Sequence, residues 1–216
     1  MSFRLIKNIV AQKLGFSAPP STPRGPCGLA LGRPVDLDET PFILAEGFLD
    51  LRFPGPHLTV VAHGSMTISG VTAHRYYLSD RKGVIQVVEG DECRFFRPFD
   101  EVYPASSEEW AFWLDDADGY IGYPTFVAKD NRAYQRVWNP GAQRTTPLCF
   151  EEWVEWPGGA PTLERHTAML YARDTQNPNG SPWEYLLLSA IEAHDGSAWV
   201  DLMLGMDITP SMIVGR

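Results

Sequence analysis

From residue 58 onward the chain keeps returning to one pattern, a short run rich in Val, Ile, Leu, Thr, Tyr, Phe and Trp followed by a cluster of Gly, Pro, Asn, Asp or Ser. Such runs suit a pleated surface, and the breaks supply the dihedral angles that hairpins need. Residues 58–68 and 71–79 flank Ser69-Gly70, 84–89 follows Asp80-Arg81-Lys82-Gly83, and 92–97 follows Gly90-Asp91. Four strands in a meander are the simplest account. The signal returns at 120–128, 133–138, 148–156 and 163–173, divided by Lys129-Asp130-Asn131, Asn139-Pro140-Gly141 and Pro157-Gly158-Gly159. A final hairpin, 183–193 with 197–207, turns at Asp195-Gly196, a pair suited to the positive φ angles of a type I′ turn.

Two segments break the β pattern. At 106–115, Ser106 or Ser107 can cap the first N–H groups of a helix, Glu108 and Glu109 suit its positive end, and Trp110, Phe112, Trp113 and Leu114 supply an apolar side. At 1–16, Phe3, Leu5, Ile6, Ile9, Val10, Leu14 and Phe16 fall on one half of a helical wheel, with Arg4, Lys7, Asn8 and Gln12 on the other. This predicts an amphipathic helix, followed by a linker at 17–28 where Pro19, Pro20, Pro23 and Pro26 favour extended chain. The expectation is a mainly β (α+β) protein, antiparallel and rich in meanders and hairpins. It has a single globular domain over 29–216 with one or two short helices. No strand–helix alternation supports a doubly wound sheet.

Charge narrows the partners. The formal net charge is −9, yet the first 35 residues carry Arg4, Lys7, Lys13, Arg24 and Arg33 and no acid. Residues 98–128 hold seven acids and no Lys or Arg. An acidic chain lacks the basic face that exchanges for phosphate counterions, so nucleic acid is not an expected partner. Glu108, Glu109, Asp115 and Asp116 form a solvated acidic face or a docking surface for a basic protein partner. The 1–16 segment, about 24 Å long as a helix, is too short to cross a bilayer but long enough to lie on one. Phe3, Ile6 and Val10 would enter the interface, with Lys7 and Lys13 at the headgroups. No secretory signal precedes the domain, which suggests a cytoplasmic protein, peripheral at the inner membrane through that helix.

Chemical motifs are sparse. Cys27, Cys93 and Cys149 show no C-x-x-C spacing, so neither a disulfide framework nor a zinc site is suggested, and Cys149 reads as a small core residue. No metal and no cofactor are expected. Asp115-Asp116-Ala117-Asp118-Gly119 lacks both anchoring ends of a calcium loop and reads as a helix end, with Gly119 free for left-handed φ. His63 and His74 lie on adjacent predicted strands and can meet across them. Glu164 and His166 share one strand face. Arg132 and Arg136, with Trp138, share another. Trp153 and Trp156 have opposite parity, which leaves one of them for a pocket or interface.

Residues 34–51 (PVDLDETPFILAEGFLDL), 165–173 (RHTAMLYAR), the basic N-terminus and the 183–207 hairpin together resemble the YjfK-like bacterial family, domain of unknown function 2491. The resemblance implies an accessory role in an envelope-associated system of the phage-shock-protein-A kind, and it carries over no catalytic residues. Two functions follow. One is a non-catalytic adaptor that uses the N-terminal helix and the acidic face. The other is an enzyme acting on a small molecule or peptide, with His63, His74, Arg132, Arg136, Glu164 and His166 converging in a cleft.

Overall fold

The computed structural model describes residues 25–89, 92–128, 131–178 and 180–215. The predicted helix at 1–16, with Phe3, Ile6, Lys7, Val10 and Lys13, lies outside the described residues. The chain forms β1 (Pro34–Leu37), a one-turn helix α1 (Thr40–Leu44), and the expected meander of β2 (Leu58–Ile68), β3 (Val71–Leu78), β4 (Val84–Val88) and β5 (Glu92–Val102). Helix α2 (Ser107–Leu114) and a small hairpin, β6 (Thr125–Val127) with β7 (Ala133–Arg136), follow. Long strands β8 (Leu148–Glu155), β9 (Thr162–Asp174), β10 (Trp183–Ala193) and β11 (Ala198–Ile208) then lead to β12 (Ile213–Gly215).

The meander and the second-half strands join into one closed surface. Strands pair antiparallel in the order β2, β3, β4, β5, β11, β10, β9, β8, and β8 returns to β2 through His63 with Glu155, Gly64 with Val154 and Ser65 with Trp153. This is an eight-stranded barrel, a closure that strand patterning alone does not specify. The free lengths of the two strands beside β8 carry short appendages: β1 and β12 extend from the start of β2, and β7 and β6 from the end of β9.

Closure gives the strands two buried faces. Met66, Ala73, Val84, Phe96, Phe150, Leu170, Leu187 and Met203, one from each barrel strand, fill the lumen. The opposite face packs under residues 29–53 and 110–128, where Leu58, Ile85, Phe95, Leu186 and Leu204 meet Phe42, Leu49, Trp113 and Phe126. Residues on both parities of β10 are therefore buried, and its sequence reads as a nearly continuous apolar run.

The covering segment is fastened by one carboxylate. Glu184 is fully buried and accepts from the Asp50 and Leu51 N–H groups at 2.6 and 2.9 Å, from the Tyr134 hydroxyl at 2.9 Å and from Arg173 Nε at 2.8 Å. Arg173 also donates to the Phe48 carbonyl at 2.7 Å. Residues 48–51 are thus tied across the sheet to β9 and β10.

Several local expectations change. The 120–128 run forms strand only at Thr125–Val127, because the chain before it is held in turns by arginines. Arg144 donates to the carbonyls of Asp115, Asp116 and Gly119, and Arg136 to those of Gly122, Asn139 and Gly141. Gly119 does not take left-handed φ; it is needed because a Cβ there would meet the Asp115 backbone at 2.5 Å. Gly196 takes positive φ and Asp195 does not, while Gly196 N–H bonds to the Ala193 carbonyl. The final hairpin thus turns through a type I turn closed by a left-handed glycine. Cys149 is exposed rather than core, and Trp156 is 46% exposed. Residues 25–28, expected to be linker, form a turn packed on the barrel, where Gly25 lies against the Tyr76 hydroxyl.

Replacing Glu184 with Gln removes the counter-charge of the partly buried Arg173 and turns an amide NH2 toward groups that donate. We expect a loss of about 1–3 kcal/mol in urea unfolding and faster amide exchange at residues 48–51, measured by hydrogen exchange.

Candidate functional site

One end of the lumen is polar. Period-two alternation turns Arg75 and Tyr77 of β3, Glu152 of β8, Glu164 and His166 of β9, and Ser189 of β10 toward the interior. Glu152 has no solvent exposure. Its Oε2 lies 2.7 Å from Arg75 Nη1, and its Oε1 accepts from the Tyr77 hydroxyl at 2.7 Å. Arg75 Nε reaches Gln86 Oε1 at 3.1 Å, and its guanidinium lies over the Phe150 ring at 5.5 Å. His166 stacks on Phe150 with centroids 4.8 Å apart, and its Nδ1 lies 2.9 Å from Ser189 Oγ. His166 Nε2 lies 3.2 Å from Glu152 Oε2, at an angle that makes an ionic contact rather than a hydrogen bond, and 3.7 Å from Glu164 Oε2.

Glycine makes room for this. Gly64 faces Arg75 across the β2–β3 ladder and Val154 across the β2–β8 ladder. A Cβ at Gly64 would sit 1.7 Å from Glu152 Oε1, so the absence of a side chain there provides the space into which the carboxylate fits.

Burial alone would push the Glu152 carboxyl up, but Arg75, His166 and Tyr77 overcome it and hold the group down at about 2. Burial opposes charge on His166 as well, yet the Glu152 and Glu164 carboxylates facing its Nε2 raise its pKa above the ordinary histidine value. In the imidazolium form Nδ1 donates to Ser189. Toward the rim, Asp201 faces both Ser189 and Glu101 across its two ladders. Burial, with the adjacent Glu101 charge, raises Asp201 to about 6, while Arg81, 2.6 Å from Glu101, keeps Glu101 ionised.

Serine, histidine and carboxylate in contact resemble a nucleophilic triad, but a triad needs room for an electrophile beside the hydroxyl. Ser189 and Glu152 have no exposed surface and are packed between strands. What this cluster does chemically is pair charges and join β3, β8, β9 and β10.

The residues proposed from sequence divide among separate places. His63 and His74 meet on the outer barrel face, Nε2 to Nδ1 at 3.1 Å with stacked rings, and His63 stacks on Tyr76 at 5.0 Å. Burial lowers both imidazoles, His74 further through His63. Glu164 and His166 are together in the lumen. Arg132 pairs with Asp50 of the covering segment, and Arg136 caps backbone carbonyls. Arg75, Tyr77, Glu152, Ser189 and Asp201 were not anticipated. The available signal was the parity of β8, where Glu152 occupies the core position between Phe150 and Val154. Among the described residues no three His, Cys, Asp or Glu side chains converge to hold a metal ion.

The exposed chemistry lies on α2. Glu108, Glu109, Asp115 and Asp116 are all exposed. Ser106 caps the helix by accepting from the Glu109 N–H at 3.2 Å, and Glu109 accepts from the Ala105 N–H at 2.7 Å. Trp113 is buried beneath the helix, whereas Phe112 is 56% exposed and stacks on Tyr120 at 5.2 Å. Beside α2, a groove of about 490 Å3 is walled by Trp110, Leu114, Cys149, Arg165, His166 and Glu192, among others.

A closed antiparallel β-barrel with an ionic lumen and an acidic, aromatic helix on its outside defines the class. The chain belongs to the family described as protein of unknown function (DUF2491), which it matches over residues 6–214. No curated protein and no solved structure matches it. Among the described residues no helix is long and apolar enough to cross a membrane.

Two titrations separate the lumen groups. A depressed carboxyl contributes stability that is complete above its unfolded value, near 4.5, and is lost as pH falls toward about 2. Chemical denaturation should show this acid limb in the wild type, flattened in Glu152→Gln. Asp201 has the opposite sign: its raised pKa costs stability as pH rises from 3.8 to about 6. Asp201→Asn should therefore melt higher than wild type at pH 7.5 and equal to it near pH 3.5, read by calorimetry.

Proposed function

We propose that this protein is a non-catalytic adaptor whose barrel is a solid scaffold and whose contacts lie outside it. The observation that carries this reading is Phe112, a large aromatic left 56% exposed on a helix bordered by Glu108, Glu109, Asp115 and Asp116. An apolar anchor ringed by one sign of charge suits a partner with a basic surface and an apolar socket, since charge steers encounter and the aromatic supplies buried area. The helix is well held for this role: Ser106 caps its start, Trp113 anchors its underside, and Arg144 ties down the carbonyls at its end.

The second contact is the amphipathic 1–16 segment, with Phe3, Ile6 and Val10 for an apolar surface and Lys7 and Lys13 for anionic headgroups. Together with the resemblance to the YjfK-like family, this favours a cytoplasmic accessory protein, peripheral at the inner membrane, in an envelope-associated system. The competing reading, an enzyme with a His, Glu and Arg cleft, has one observation in its favour: His166 borders the α2 groove together with Arg165 and exposed Cys149.

A photo-reactive phenylalanine analogue at position 112, introduced into the full chain in cells, should give a discrete protein adduct that the same probe at Trp156 does not. Glu108→Lys with Asp116→Lys should reduce the adduct at least about tenfold. Equal labelling at 112 and 156 would sink the proposal. Full-length protein should also co-sediment with anionic liposomes, and Ile6→Asp with Val10→Asp should abolish that.

A further inference from the structure

The turn at residues 25–28 brings two cysteines together that are 66 positions apart in sequence. Cys27 Sγ lies 3.7 Å from Cys93 Sγ. Cys93 is 3% exposed, on the outer face of β5, whereas Cys27 is half-buried and reachable from solvent. The approach depends on local backbone. Gly25 closes a short loop by donating to the Leu29 carbonyl at 3.1 Å, and a Cβ at Gly25 would stand 1.6 Å from the Tyr76 hydroxyl. Only glycine lets the chain lie this low over β3. Cys27 itself adopts φ of 63°, a conformation disfavoured for a side chain at that position. The result is a strained residue whose thiol points at a buried thiol.

Two sulfurs at this separation suit either a shared metal or a disulfide. Among the described residues no third His, Cys, Asp or Glu joins them, and two thiols by themselves make the set for a disulfide. We propose that Cys27 and Cys93 form a redox site that takes a low-molecular-weight disulfide, such as oxidised glutathione, and closes into an intramolecular bridge. The Cys27 thiolate attacks one sulfur of the small disulfide, giving a mixed disulfide and releasing one thiolate. The Cys93 thiolate then attacks Cys27 Sγ, forming the protein disulfide and expelling the second. Two protein thiols are oxidised, one disulfide is reduced, and the two thiol protons leave on the two small thiols. The sulfurs must close from contact to about 2.05 Å, a movement that falls to the half-buried turn because β5 is held in ladders on both sides. The bridge fastens residues 25–28 to β5. In sequence this turn directly follows the proposed docking segment and linker, although the chemistry itself does not rest on that reading.

The test is equilibration of full-length protein in glutathione buffers of rising oxidation, followed by alkylation, a non-reducing digest and mass spectrometry. We expect a peptide linking Cys27 to Cys93 in monomeric protein, while exposed Cys149 carries glutathione. The oxidised protein should melt at least about 5 °C higher, given the length of the closed loop, and reductant should reverse the rise. In Cys93→Ser, Cys27 should stop at the mixed disulfide and the rise should vanish. Glutathione adducts on Cys27 of the wild type with no linked peptide, or Cys27 and Cys93 both alkylated in the most oxidising buffer, would overturn the proposal.

Discussion

A carboxylate with no access to water sits at the point where this barrel closes. Glu152 is carried by β8, the strand that joins the meander to the second-half strands, and its partners Arg75, Tyr77 and His166 come from strands on both sides of that seam. Removing two charges from water is expensive, and their attraction repays it only when the remaining lone pairs and protons are satisfied. Here Tyr77, Gln86 and Ser189 complete the set, so the pair specifies one register for β8. A shift of one residue would turn Glu152 outward and put Trp153 in the slot that Gly64 leaves open.

The same closure explains why the chain wraps itself. Because strands such as β10 are apolar on both parities, the outside of the barrel needs a cover, and residues 29–53 and 110–128 supply it. Glu184 plays on the outer face the part that Glu152 plays within, gathering two backbone N–H groups, a tyrosine and an arginine. With lumen and wall both filled, the features left exposed lie at the periphery: α2 with Phe112 and the neighbouring groove.

Much of the fold could be read in the sequence. The strands over 58–97 and 148–207 follow from alternation and turn residues, although β5 runs past Pro98 to Val102 through an irregularity in its ladder with β11, and α2 follows from its serine cap and early acids. The side-chain pairs reachable by local geometry, His63 with His74 and Glu164 with His166, also follow. Closure did not, since the β2–β8 ladder joins residues about ninety positions apart and no local pattern encodes it. For the same reason Arg75 and Glu152, 77 positions apart, could not be matched, and the arginines at 132, 136 and 144 gave no sign that their partners would be carbonyls and a distant aspartate. Among the expectations that failed, Cys149 as core and Asp195-Gly196 as a type I′ turn turned on a strand's outer face left uncovered and on a hairpin one residue longer than two.

The central claim, that a satisfied ion pair across the seam holds the barrel shut, is tested most directly by a double-mutant cycle in urea unfolding with Arg75→Met and Glu152→Leu. Arg75→Met leaves Glu152 with only His166 to offset its charge and Glu152→Leu leaves Arg75 buried without a counter-ion, whereas the double change removes both charges of the pair. The account predicts a double variant more stable than the worse single variant, with a coupling energy of at least about 2 kcal/mol. Additivity within about 0.5 kcal/mol would contradict it, showing that the two groups do not depend on each other and that β8 is held by its ladders alone.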